Sequence, residues 1–447
     1  MKKKVLSIIL VSAMAAGVLA GCGSSASTSS SSKSSSASSG SASSSGKDYE
    51  DCTIKFDWWG GDTRHEATQN AVKAFEEKYP GIKVDVNFGA WTDWETAKAM
   101  EYQSGTNPDV QQTNFDWIGK YDADGSTYLD LNTVSDTIDL TQWTDDELNM
   151  CKDSKGGIAG IPVANTGRLF YWNKATWEKA GLDLPKSVDD LLAAGPVFKE
   201  KLGDDYYPLV VGSYDRAILM TYYLQKEVGT PIIDENNKLT YSQDQIKQGV
   251  DFIQKLEDNH VIPTIEYTDG EGVDSMDKSA RFIDGHYAGI FEWDTAAPKY
   301  VAALGDAASD FVVGGELDGL QSYSKVSLMF SISAKTKHPH ESALLLNYLL
   351  NDPDGVKAMG TERGIPNSQT AYDTLNSAGA IDQMSIDAHN AVSDSNPFYW
   401  NPLFDDATMK GDSGTAYYDA FVNLSYKKID TAKAAETLYN AYAAICS

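Results

Sequence analysis

The chain reads as an α/β protein of more than one lobe, and three observations predict it. Strand-period and helix-period apolar patterns alternate along the chain, the folded part is long, and cysteines are few. Residues 53–88 show the pattern best: Ile54, Phe56 and Trp58 alternate as in a strand, and Val72, Phe75 and Tyr79 follow at helical spacing. Pro80-Gly81 then stops the helix, and Ile82, Val84, Val86 and Phe88 alternate again. A strand, a helix and a strand in so short a span predict a right-handed parallel crossover. The same grammar returns where Val326 to Ser333 precedes a helical Glu341 to Leu350. A globule of about 400 residues exceeds the roughly 250–300 at which one core stops growing, so two lobes are expected.

The first residues carry an address. Met1-Lys2-Lys3-Lys4 precedes an apolar run from Val5 to Leu19 and the small residues Ala20-Gly21, which is a secretory signal peptide over 1–21. The ending Leu19-Ala20-Gly21-Cys22 resembles the bacterial lipobox, which implies lipidation of Cys22 and a membrane anchor. Residues 22–47 then form a Ser-rich tether with too little apolar surface to fold. The expected location is the outer face of the cell membrane.

Composition excludes several classes. With 37 Lys and Arg against 64 Asp and Glu, the net charge is −27, so no nucleic-acid partner is expected. Cys52, Cys151 and Cys446 are an odd set with no metal-type spacing and no catalytic histidine signature beside them. His338-Pro339-His340 reads as the turn that starts a helix rather than as a metal site, and no cofactor is expected. There is no Gly-x-Ser-x-Gly, His-Glu-x-x-His or P-loop motif.

Candidate binding residues cluster at the carboxyl ends of strands, where open α/β sheets bind ligands. The first strand ends in Trp58-Trp59-Gly60-Gly61-Asp62, followed by Arg64 and His65; the second is followed by Trp91 and Trp94. Asn114-Phe115-Asp116-Trp117, Tyr214-Asp215, Glu292-Trp293-Asp294 and Tyr399-Trp400 repeat the mixture of rings and polar groups. Indole faces stack on sugar C–H faces while carboxylates and amides pair with hydroxyls, so a carbohydrate is the expected ligand. Arg64 fits either a uronic-acid carboxylate or a pairing with Asp62.

In order along the chain, Ala71 to Ile82, Gly105 to Val110, Trp117 to Leu131, Gly160-Ile161-Pro162, Tyr171 to Lys174, Phe282 to Phe291 and Arg363-Gly364-Ile365-Pro366 resemble one family. It is that of the extracellular solute-binding lipoproteins of bacterial ABC importers, in the branch that takes up sugars. The resemblance implies a two-lobed periplasmic-binding-protein-like fold whose hinge segments cross near 161–165, 291–294 and 332–335. Lobe one is then 48–161 with 294–333, and lobe two 165–291 with 336–447. It adds Asn165 and Arg363 to the site, and strengthens Glu292, Trp293 and Asp294. It further implies a monomer without catalytic residues that delivers an oligosaccharide to a permease by hinge closure. The competing readings are an anchored glycoside hydrolase, with Glu292 and Asp294 or Asp109 and Asp116 as its carboxyl pair, and a sugar sensor or adhesin.

Overall fold

The computed structural model describes residues 47–91, 94–273, 275–395 and 397–446. The signal peptide, Cys22 and the tether through Gly46 lie outside the described residues. Residues 48–447 form one compact unit. No described helix is long and apolar enough to cross a membrane.

The expected crossover is present. Strand β1 (Cys52–Trp59) pairs in parallel with β2 (Ile82–Gly89), and the helix Asp62–Lys78 joins them. That helix buries Thr68, Ala71, Val72 and Phe75, one stripe at helical spacing, and the Tyr79 N–H bonds Phe75 O where it ends. The strands β3 (Val110–Thr113), β4 (Ile161–Asn173), β5 (Gly289–Trp293), β6 (Phe311–Gly315), β7 (Tyr323–Ile332) and β8 (Phe398–Tyr399) complete the sheet. Its order is β2-β1-β3-β7-β4-β5, with β6 on β4 and β8 on β7.

The two long strands decide the architecture. Ile161 and Val163 of β4 pack in a core with Phe56, Trp58, Phe75 and Trp117, whereas Phe170 and Trp172 pack in a second core with Trp177, Leu219 and Ile253. Antiparallel to it, β7 runs back from Tyr323 in the second core to Phe330 and Ile332 in the first. Both strands therefore pass from one core to the other. The β4–β7 register shifts between Pro162 and Asn165, where Pro162 has no N–H to give the ladder.

Two expected boundaries differ from what the apolar faces dictate. After β5 the chain does not cross: Ala297, Tyr300 and Leu304 pack with Leu169 and Tyr171 of β4, so 294–323 stays with the second core. Conversely, Ala343, Leu346 and Leu350 of the helix Pro339–Asn351 pack in the first core with Phe75. The crossing expected at 332–335 falls earlier, within β7.

Helices cover the second core, among them Val188–Leu202, Ser213–Val228 and Gln243–Asp258. The last begins in a capping box, Ser242 Oγ accepting the Gln245 N–H at 3.2 Å and Gln245 Oε1 accepting the Ser242 N–H at 2.8 Å. Gly195 lets the first of these helices approach the turn after the last. A Cβ there would lie 2.0 Å from Asn259 O, a backbone atom that cannot swing aside. Gly195→Ala is expected to destabilise the chain by about 1–3 kcal/mol despite the better helix propensity of alanine, read as a lower urea midpoint.

Candidate functional site

The candidate site lies where β4 and β7 leave the second core. Arg168 is the one charged residue in β4, and only 6% of it is exposed. A buried guanidinium needs partners on every side. Nη2 meets Asp215 Oδ1 at 2.7 Å, and Nη1 meets Glu292 Oε1 and Phe291 O, each at 2.9 Å. The guanidinium carbon Cζ lies over the Trp293 ring, 4.4 Å from its centre. Glu292 also accepts from Tyr300 Oη at 2.8 Å, and Asp215 from the Gly212 N–H at 3.0 Å. Burial works against the Arg168 charge, but Asp215 and Glu292 outweigh it and hold the group firmly protonated. Burial is likewise outweighed at Glu292, whose carboxyl sits below its usual range, while burial and the Glu292 charge push Asp215 up.

A second cluster adjoins the first. Asp405, at the end of the one-turn helix Pro402–Asp405, accepts from Lys325 and from the Tyr214 hydroxyl and lies 3.5 Å from Lys410 Nζ. Two ammonium groups overcome burial and hold its carboxyl well below the usual range. Lys325 Nζ is 5.1 Å from the ring centres of both Trp293 and Trp400, and Lys410 Nζ is 4.3 Å from that of Tyr214. Burial and its cationic neighbours lower the Lys410 ammonium.

From the first core, Asp116 faces this cluster. Burial, then the charges of Asp405 and Glu95, raise its carboxyl to about 6 against the pull of Lys325. Beside it, Trp91 is 43% exposed and rests on Trp59 and Trp117 at 5.1 and 6.3 Å between ring centres. Half-buried Asn114 shapes the turn by accepting the Trp117 N–H on its carbonyl at 3.1 Å.

The remaining expected residues sit elsewhere or do other work. Trp58 is a core residue that stacks on Phe88 and donates its indole N–H to His65 Nδ1 at 3.1 Å. Trp94 is buried with Lys98 over its ring, and Asp62 is exposed in the first turn of its helix. Arg64 does not pair with Asp62: its guanidinium donates to Glu362 O at 3.0 and 2.8 Å and to Trp59 O at 3.3 Å. Arg363 is buried on Gln112 Oε1 and Thr68 Oγ1, two neutral partners, so desolvation and the charge of Arg64 lower its pKa. The Asn165 N–H donates to Asn367 Oδ1 at 2.7 Å. Asp294 is buried and accepts from Thr166 Oγ1 at 2.6 Å and from the Thr295 N–H at 2.9 Å. Trp400, 1% exposed, packs edge-on to Tyr323 and Phe404 beneath Trp293.

Sequence reading missed Arg168, Lys325, Lys410 and Asp405. A lone arginine in thirteen otherwise uncharged strand residues was the available signal for the first, since such a charge must find a buried partner. Neither carboxyl pair of the hydrolase alternative is free, since Arg168 takes Glu292 and Thr166 takes Asp294. Asp109 accepts from the Lys55 N–H at 2.8 Å and from Thr336 Oγ1 at 2.7 Å.

Two cores bridged by paired long strands, with rings and charges gathered at the junction, define a two-lobed ligand-binding protein of mixed α/β fold. The chain belongs to the bacterial extracellular solute-binding proteins, whose family profile matches residues 61–356. A periplasmic solute binding protein from Pectobacterium atrosepticum is 32% identical, with a TM-score of 0.80 over 88% of this chain and 98% of that one. A periplasmic oligogalacturonide binding protein from Yersinia enterocolitica, solved with saturated digalacturonic acid, is 35% identical with a TM-score of 0.77, over 88% and 98%. The melibiose/raffinose/stachyose-binding protein of Bacillus subtilis is 25% identical over 177 residues, 38% of each chain. The match thus spans well under half of that curated relative.

Proposed function

We propose that this chain captures an oligosaccharide containing uronic acid units outside the cell membrane and presents it to the permease of an ABC importer, without altering it. The two cores define lobes that close on the sugar by bending β4 and β7, and Cys22 carries the lipid anchor. The observation that carries the reading is the pair Lys325 and Lys410 sharing the single carboxylate of Asp405 beside the Trp293 ring. That pair offers an anionic sugar two ammonium groups next to an aromatic ring. The likeness to the oligogalacturonide binding protein supports an acidic ligand. The relative from Bacillus subtilis supports a second reading, a neutral galactoside.

Titration of the purified protein with digalacturonate and with raffinose separates the two. Digalacturonate at about 100 times its Kd is expected to add about 2.7 kcal/mol to the folded state, with the sugar recovered intact by chromatography. Lys325→Gln is expected to weaken that binding at least tenfold and to reduce its dependence on salt. The pH dependence follows from Asp116. Ionised above about 6, its carboxylate repels a sugar that stays anionic, and protonation removes that repulsion, so affinity rises as pH falls from 7 to 5. Asp116→Asn flattens this profile. Tighter binding of raffinose would establish the neutral reading, and a cleaved sugar the hydrolase.

A further inference from the structure

Read along the sequence, His338 and Cys52 have nothing to do with each other; the fold brings them together. Cys52 opens β1, His338 caps the helix Pro339–Asn351, and Glu341 stands in its first turn. One donor atom from each of the three lies within 4.8 Å of the other two, and this is the one such trio among the described residues. His338 Nδ1 is buried with no hydrogen-bond partner among the described residues, a state that a polar ring nitrogen rarely keeps. Glu341 is 4% exposed and already fixed through Oε1, which accepts the Glu50 N–H at 2.8 Å. The spacing of His338 and Glu341, three residues apart at a helix start, sets both on the same side of the turn.

We infer that Cys52, His338 and Glu341 form a zinc site that fastens the beginning of the folded body to the helix Pro339–Asn351. The donor set selects the metal. Calcium and magnesium take oxygen donors, whereas a thiolate with an imidazole and a carboxylate is a borderline-soft set that suits Zn2+, with water as fourth ligand. Bonds of about 2.3 Å to sulfur and 2.0–2.2 Å to nitrogen and oxygen place tetrahedral donors roughly 3.3–3.6 Å apart, so a movement of about an ångström closes the trio. On binding, the Cys52 thiol gives its proton to solvent and the sulfur becomes the ligand. Glu50, Asp51 and Asp109 lie near enough to act on Cys52, and their charge favours a cation there.

The site is distinct from the sugar site. Cys52 begins β1 and Trp59 ends it, seven residues or about 23 Å away along the strand. Zinc is therefore a structural ligand that raises stability and leaves sugar affinity alone.

The test uses metal-stripped protein and zinc or cobalt chloride alone. One Zn2+ per chain is expected by calorimetry, with a rise in Tm that a chelator reverses. Cys52→Ser and His338→Ala should each weaken binding at least tenfold, while Cys446→Ser leaves it unchanged. Cobalt in the same site should show a near-ultraviolet thiolate charge-transfer band that Cys52→Ser removes. A readout without any substitution is alkylation, since zinc should slow the reaction of Cys52 with a maleimide and not that of Cys446, which is also half-buried. A cobalt spectrum without a thiolate band, or alkylation of Cys52 at the same rate with and without zinc, would overturn the assignment.

Discussion

Arg168→Met is expected to destabilise the folded chain by about 3 kcal/mol at pH 8, the lower end of what breaking a buried ion pair removes. The methionine fills a similar volume, so the loss is electrostatic. It leaves Asp215 and Glu292, which Arg168 bridges at 2.7 and 2.9 Å, as neighbouring carboxylates without their shared cation. Lys299 remains 3.7 Å from Glu292 and water reaches part of both carboxyls, which keeps the effect at that lower end. The pH dependence carries a definite sign. Without Arg168, burial raises both carboxyls above their unfolded values, so the folded variant binds protons that the unfolded chain does not. Its stability then rises as pH falls, and the gap from the parent narrows between pH 8 and pH 5. Sugar affinity stays reduced at both values, because the cation over the Trp293 ring is gone. Arg168→Lys restores a charge without the two-pronged geometry and should recover only part of the stability. Urea denaturation at the two pH values checks this, and an equal deficit at both would show that the network is not what Arg168 supports.

What could be read from the sequence, and what could not, divides along the distance between partners. The β1-helix-β2 unit was legible because its apolar residues lie within one short window and answer to one period each. Trp91 and Asp116 were legible as candidates because strand ends are marked locally by glycine, proline and asparagine. The charge clusters were not, since Arg168 finds its partners at 215 and 292, and Lys325 finds Asp405 eighty residues on. Alternation separates neighbouring side chains such as Trp58 and Trp59, but it says nothing of what covers each of them. His65 and Phe88 close over Trp58, and Trp91 leans on Trp59. The helix Pro339–Asn351 shows the same limit: it is apolar enough to suit either core, and only the direction in which β7 runs decides which one it meets.

Between β1 and the helix Trp94–Ser104 lies a buried charge pair whose disruption should be the other large effect. Asp57 sits on β1 between Phe56 and Trp58, 2% exposed, and bonds Lys98 of the helix Trp94–Ser104, which is 1% exposed. Its Oδ1 has no hydrogen-bond partner among the described residues. Burial, helped by the charge of Glu101 and opposed by Lys98, raises the Asp57 carboxyl to about 7. Because the folded value exceeds the unfolded one, this group lowers stability as pH rises from about 4 through 7. Lys98→Met removes the opposing cation and pushes the carboxyl higher still, so the slope steepens and continues above pH 7. We expect a loss of roughly 3 kcal/mol at pH 8 and clearly less at pH 5.5, where the carboxyl is protonated and needs no cation. Pairing the change with Asp57→Asn removes both charges together, and the double variant should return to within about 1 kcal/mol of the parent with little pH dependence. Urea midpoints of the two variants at pH 5.5 and 8 decide it. Were the double variant as unstable as Lys98→Met alone, the loss would come from the packing of the lysine stem against Trp94 rather than from the charge it carries.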